Sequence, residues 1–328
     1  MTELHRFLFE NLAVRGAIVR LTQPWQEVLN RRAANPDTGA FADPVNALLG
    51  EMAAAAVLMQ SNLLFNGALV LQVMGDGPVK LAVAEVSSSA DASGMTFRCT
   101  AKVQGAVAAD ASLADMVNVL NLGKCAITLD PKDKANGQQP YQGVVPLFGD
   151  QREKLTQISQ ALEHYMLQSE QLGTKLVLAA NSQVAAGILV QRMPREGAGN
   201  LGAVHDIAQE LADPEADFNH IATLVASLKP EELLGLDSME VLHRLFWNEP
   251  LLRHPPSAPR FACTCSRERV GNMLKSLGVA EVESILAERD QVDVGCDFCG
   301  THQVFDAVDA AQLFVGDENV APGGAALH

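Results

Sequence analysis

The chain has 328 residues, of which 48% are hydrophobic and 19% charged, with a formal net charge of −15. That length exceeds one ordinary domain, and two or three are expected. The apolar fraction excludes a disordered chain, and the negative balance argues against nucleic acid and anionic membrane surfaces, which both call for cations.

Near the N-terminus, Glu10, Arg15 and Arg20 interrupt any apolar run. Neither a signal peptide nor a transmembrane helix is expected, which points to the cytoplasm. Residues 1–195 read as one mixed α/β core domain. Residues 15–21 alternate as a strand. Residues 44–64 carry Val45, Leu48, Leu49, Met52, Ala56 and Met59 at helical spacing. Strand-like runs follow at 69–74 and 79–86, joined by the tight turn Gly75-Asp-Gly-Pro78. Further strands are expected at 95–103, 125–129, 141–148, 175–180 and 186–191. A helix is expected at 155–167, with Ile158, Leu162 and Met166 on one face. Strands mixed with a few helices, without regular alternation, predict an α+β fold.

Residues 196–252 read as a helical linker. Its first part, 196–202, is Gly-rich, and sheet signals vanish from 204 to 246. Ile207 and Leu211 sit four apart, as do Ile221 and Val225. Pro230-Glu-Glu232 marks a helix start, with proline in the first turn and acids facing the dipole. Such short segments gain stability by packing on a neighbour rather than alone. Residues 253–328 form the third region, and its tail after Val320 is expected to be disordered.

That last region holds four of the six cysteines: Cys263-x-Cys265, thirty residues, then Cys296-x-x-Cys299. Four thiolates suit one tetrahedral Zn²⁺ ion per chain. In an extended Cys-x-Cys both side chains project to one side. Cys296-Asp-Phe-Cys-Gly300 reads as a zinc-knuckle turn, in which Gly300 supplies a positive φ. Between the pairs, Ser266 reads as an N-cap. Val270, Met273, Leu274 and Leu277 form an apolar stripe ended by Gly278, and Val282, Ile285 and Leu286 form a second. A domain this small needs a staple, and zinc would supply roughly 10–16 kcal/mol of folding free energy. Arg267, Arg269 and Lys275 near the site would help to keep the thiolates reactive. Cys99 and Cys125, in strand-like runs, read as buried inert thiols. His302 is not needed as a ligand.

Cys263-Thr-Cys-Ser-Arg-Glu-Arg269 with Cys296-Asp-Phe-Cys-Gly300 resembles the 33-kDa heat-shock chaperonin family of redox-regulated holdases. The similarity extends to His5-Arg-Phe-Leu-Phe-Glu-Asn11, Val14-Arg-Gly16, Gly75-Asp-Gly-Pro78, Tyr141-Gln-Gly-Val-Val145, Ser169-Glu-Gln171 and Glu281-Val-Glu-Ser-Ile-Leu-Ala-Glu288. It spans nearly the whole chain, with one departure at Gln303, where the family has an aromatic residue. The resemblance implies that the reduced protein holds zinc and is inactive or weakly active. Oxidation forms Cys263–Cys265 and Cys296–Cys299 disulfides and expels zinc. The C-terminal switch and the linker then unfold and expose apolar surface to unfolding client proteins, without ATP. It further implies a homodimer when oxidised, and a chaperone rather than an enzyme.

Three other functions compete. A zinc-binding thiol–disulfide oxidoreductase would use Cys296-x-x-Cys299, but that motif should open a helix in a thioredoxin-like unit. A zinc ribbon for nucleic acid would need cations, whereas residues 263–299 hold four basic groups against seven acidic ones. An enzyme in residues 1–195 would need a nucleophile, base or metal set, and no convincing one stands there.

Overall fold

In the computed structural model two strands are followed by a largely polar helix, α1 (Gln23–Ala33), and a largely apolar one, α2 (Asp43–Ser61). The structure describes residues 1–63, 65–88, 94–132, 139–193 and 213–315. Leu64, the 196–202 linker, Val204, Ile207, Leu211 and the tail after Val320 lie outside the described residues. The chain divides into two compact units, Met1–Ala262 and Cys263–His328.

In the first unit α2 is the hub. Residues Met52 to Leu58 are fully buried, including four consecutive alanines. A helix apolar on every side belongs inside a core, and small side chains let strands approach it closely. It packs between two sheets. One is five-stranded, in the order β10-β1-β2-β9-β8, built from β1 (Glu3–Phe9), β2 (Val14–Leu21), β8 (Thr174–Ala180), β9 (Ala185–Arg192) and β10 (Leu251–Arg253). The other is six-stranded, in the order β11-β5-β4-β3-β6-β7. It comprises β3 (Gly67–Met74), β4 (Val79–Ser88), β5 (Met95–Val103), β6 (Lys124–Pro131), β7 (Tyr141–Pro146) and β11 (Arg260–Phe261). The described pairings are antiparallel except that of β11 with β5. The architecture is α+β, as the unalternating order of strands and helices predicts.

The turn Gly75-Asp-Gly-Pro78 closes the β3–β4 hairpin. Asp76 does more than turn the chain. Its carboxylate accepts from the backbone N–H of Val119, Leu120 and Leu122, at 2.6, 3.0 and 2.8 Å. It thereby holds the loop that follows α3 (Leu113–Val117). The helix expected at 155–167 is displaced three residues and runs from Ile158 to Glu170 as α4. The cause is local. The side chain of Gln160 accepts from the amides of Thr156 and Gln157, which sets the start later. Leu155 is instead held by the carbonyl of Leu147.

The five-stranded sheet is buried on both faces. Ala17, Val19, Leu21, Ala185 and Leu189 face α2. The alternate residues Val14, Ile18, Ala186, Ile188 and Val190 join Phe7 and Phe9 on the other face. Three helices cover that face: α5 (Pro214–Ala226), α6 (Pro230–Gly235) and α7 (Ser238–Leu245). Ile221, Val225, Leu233, Val241, Leu242 and Phe246 pack onto it. Phe7, Phe9 and Phe246 form a ring cluster with centroids 5.0–5.8 Å apart. Pro214 and Pro230 both stand in first turns, where the absent N–H leaves no bond unmade.

Candidate metal centre

The second unit is built around few residues. Its elements are α8 (Arg267–Leu277), α9 (Val279–Glu288), the hairpin β12 (Gln291–Gly295) and β13 (His302–Asp306), and α10 (Ala307–Phe314). The buried side chains at its centre are Leu274, Val282, Val292, Phe305 and Ala310. The expected stripe on α8 is half right. Leu274 and Val270 face inward, but Met273 and Leu277 are exposed. Leu313 of α10 lies against Gly271, so α8 turns its 270–271–274 side to the core.

Both cysteine pairs are placed by local chemistry. Cys263 and Cys265 sit in the segment just before α8. Ser266 caps that helix, its side chain accepting from the amide of Arg269 at 3.2 Å. Arg269 in turn donates to the carbonyl and the hydroxyl of Thr264, at 3.1 and 2.6 Å, fixing the residue between the two sulfurs. Cys296 and Cys299 form the turn at the tip of the β12–β13 hairpin. The amide of Cys296 donates to the Thr301 carbonyl at 3.0 Å, and that of Gly300 to the Cys296 carbonyl at 2.8 Å. Gly300 has φ 69°, the left-handed conformation that its lack of Cβ permits.

These elements bring all four sulfurs together, within 4.8 Å of one another. Two close separations run between the two halves: Cys263 to Cys296 at 3.6 Å and Cys265 to Cys299 at 3.3 Å. Tetrahedral Zn–S bonds of about 2.3 Å would set sulfurs roughly 3.8 Å apart, so the donor set has the size and number for one metal ion. The electrostatics agree. Desolvation, reinforced by the neighbouring sulfurs, pushes the Cys265 thiol well above its ordinary value. Desolvation also raises Cys296. Desolvation acts upward on Cys299 too, but hydrogen bonds from Thr301 and the adjacent thiols outweigh it and bring it down to about 7. Cys299 thus forms its thiolate readily, while Cys265 and Cys296 resist. A bound cation is what lets four thiolates coexist.

Thr301 is a member of this site that sequence reading missed. Its Oγ1 lies 3.3 Å from Cys299 Sγ, and a small hydroxyl two residues past the knuckle was the available signal. Arg267 is directed elsewhere than the expected cationic halo. It donates to the carbonyl of Val304 at 2.6 Å, pairs with Asp309 at 2.7 Å and lies over the Phe305 ring at 4.1 Å. It therefore ties α8 to β13 and α10. The Nδ1 of His302 is engaged with Asp293 at 2.8 Å. Cys99 and Cys125 are buried in β5 and β6, where desolvation pushes both thiols up to about 12. Both are buried, as expected. Cys296-x-x-Cys299 lies at a hairpin tip and not at a helix N-terminus, which is wrong for a thioredoxin-like dithiol. Among the described residues, no helix is long and apolar enough to cross a membrane.

A family model described as Hsp33 protein matches residues 2–306. The 33 kDa chaperonin of Chromobacterium violaceum is 43% identical over 314 residues, covering 95% of this chain and 93% of that protein. The 33 kDa chaperonin of Methylobacillus flagellatus is 42% identical over 326 residues, covering 99% and 98%. In fold, the chain is similar to the crystal structure of the 33 kDa chaperonin (heat shock protein 33 homologue) from Thermotoga maritima. The TM-score is 0.73 at 20% identity, over 96% of this chain and 98% of that one. The chain therefore belongs to the Hsp33 family.

Proposed function

We propose that this chaperone is a cytoplasmic, ATP-independent holdase switched on by oxidation of a zinc site formed by Cys263, Cys265, Cys296 and Cys299. The observation that carries the reading is the convergence of four sulfurs within 4.8 Å in a unit with so small an apolar centre. Bound zinc supplies folding free energy, roughly 10–16 kcal/mol in small zinc domains, and holds the sulfurs as thiolates.

The chemistry lies in the chain's own sulfurs. A thiolate attacks a peroxide oxygen and becomes a sulfenic acid, while the other oxygen leaves as water. The neighbouring thiolate attacks that sulfur, and the sulfenic oxygen leaves as a second water. One disulfide thus uses one peroxide and two protons from solvent, the two sulfurs giving up the two electrons that the peroxide takes, and the pairs Cys263–Cys265 and Cys296–Cys299 use two peroxides. With its ligands converted to disulfides, the site no longer holds the metal, and the order it supported is lost.

In this proposal residues 1–195 are the client-binding and dimerising core, 196–252 the linker, and 253–328 the switch. Helices α5–α7 belong to the linker. They lie over Phe7, Phe9, Val14, Ile18, Ile188 and Val190, and their release would present that face to unfolding clients. The oxidised form dimerises. It acts by binding, without catalysis, nucleic acid or membrane.

The test is peroxide with mild heat. One zinc per chain should leave, and aggregation of a chemically unfolded client should be suppressed. If the variant with all four cysteines changed to serine kept its dependence on oxidant, the proposal would fail.

A further inference from the structure

On the α2-facing side of the five-stranded sheet, the core ends in a row of polar residues. Arg15 of β2, Gln191 of β9 and Thr174 of β8 are register partners in turn. Arg15 Nε donates to Gln191 Oε1 at 3.1 Å, and Gln191 Nε2 donates to Thr174 Oγ1 at 3.0 Å. Gln191 is 2% exposed. The row is a built feature, and all its partners are neutral. A half-buried guanidinium therefore sits at the end of an apolar core with no ion pair to an acid among the described residues. Burial lowers its pKa, yet a guanidinium stays charged.

This cation lines a cavity of about 280 Å³. Met59, Leu69, Met166 and Leu189 give its apolar wall, and each is at most 8% exposed. Asn62 lines it as well, and its Nδ2 is buried with no hydrogen-bond partner. The acid on the same cavity, Glu170, is exposed. It accepts from the hydroxyls of Tyr165 and Tyr141, at 2.8 and 3.4 Å. A guanidinium with only neutral partners and one amide donor without an acceptor thus share one wall with apolar side chains, which is the pattern of a small-molecule site. Its volume falls just below the ~300–1,000 Å³ of drug-sized ligands.

We propose that this cavity binds a small monocarboxylate with a compact apolar body, its carboxylate on Arg15 and Asn62 and its body among Met59, Leu69, Met166 and Leu189. Nothing in it depends on the cysteine cluster.

The experiment is calorimetric titration of the reduced, zinc-loaded full chain with octanoate. Binding at millimolar concentration or tighter is expected. Octan-1-ol should bind at least about tenfold more weakly, and Arg15→Gln should weaken octanoate at least about tenfold, as loss of a charge-assisted hydrogen bond requires. On the unaltered chain, nuclear Overhauser contacts should join octanoate to the methyl groups of Met59 and Met166. That readout stands even if Arg15→Gln does not fold. No binding, equal binding of octan-1-ol, or absence of the methionine contacts would overturn the proposal. A peptide ending in a free leucine serves as a further arm. If it bound more tightly than octanoate, the cavity would be a chain-terminus site and the small-molecule assignment would fall.

Discussion

Arg20 Nη1 donates to the carbonyl of Leu236 at 2.8 Å, so a strand of the five-stranded sheet holds the far end of helix α6. The same guanidinium reaches the carbonyls of Leu233 and Leu234, at 3.1 and 2.7 Å. A cation on terminal carbonyls satisfies orphan acceptors and opposes the helix dipole. Arg20→Ala should loosen α5–α7 from the sheet by roughly 1.5–3 kcal/mol, the range for hydrogen bonds to a charged group. Binding of an apolar dye to the reduced, zinc-loaded protein should rise. Unchanged dye binding would show that Arg20 does not hold the cover.

The knuckle depends on Gly300 at φ 69°. Gly300→Ala places a Cβ in the left-handed region, at roughly 1–2 kcal/mol. Competition with a chromogenic chelator should show weaker zinc binding, about tenfold, and Gly300→Asn should fall between the two, since asparagine tolerates this conformation better.

Removing the metal by chelation under reducing conditions should disorder the unit that begins at Cys263 and leave the α2 core intact. A thiol reagent should then modify four cysteines quickly, and Cys99 and Cys125 only on global unfolding. Their desolvated thiols, with pKa pushed up to about 12, carry almost no thiolate. Six fast thiols would contradict this division of the chain.

Glu51 on α2 has its carboxyl pushed up to about 7 by desolvation. The native state then binds more protons than the unfolded state between pH about 4.5 and 7. Stability from this group therefore falls as pH rises through that window. Glu51→Gln should stabilise the protein at pH 8 by about 1–2 kcal/mol, less than the full shift implies because the group is partly solvated. The difference should vanish near pH 4. Equal denaturant midpoints at pH 8 would contradict it.

Asp76 accepts from three amides of the 119–122 loop. Asp76→Ala should cost about 1–3 kcal/mol and speed hydrogen exchange at Val119, Leu120 and Leu122.

What could be read in the sequence was whatever has a local cause. The Ser266 cap, the helix end at Gly278, the Gly300 turn and the Gly75–Pro78 hairpin each follow from one residue's conformational preference or hydrogen bonding. The apolar run of α2 was visible because it is long. β1 was not read as a strand: Leu4 and His5 are consecutive and both buried, so no clean alternation marks it. α1 was missed because it buries only Trp25 and Val28. β10 and β11 span three and two residues, too short for any period, and exist only because β1 and β5 offer free edges. The inward side of α8 depended on Leu313, forty-two residues beyond Gly271 in the chain, and no local pattern carries that. The cysteines were legible by spacing, whereas Thr301 had no signal beyond its proximity.

The six side chains Phe7, Phe9, Val14, Ile18, Ile188 and Val190, which α5–α7 cover, contain no hydrogen-bond donor or acceptor. Were that face bared, it would have no means of asking which polypeptide had arrived. It would rank visitors by greasiness alone, whatever the order of their residues.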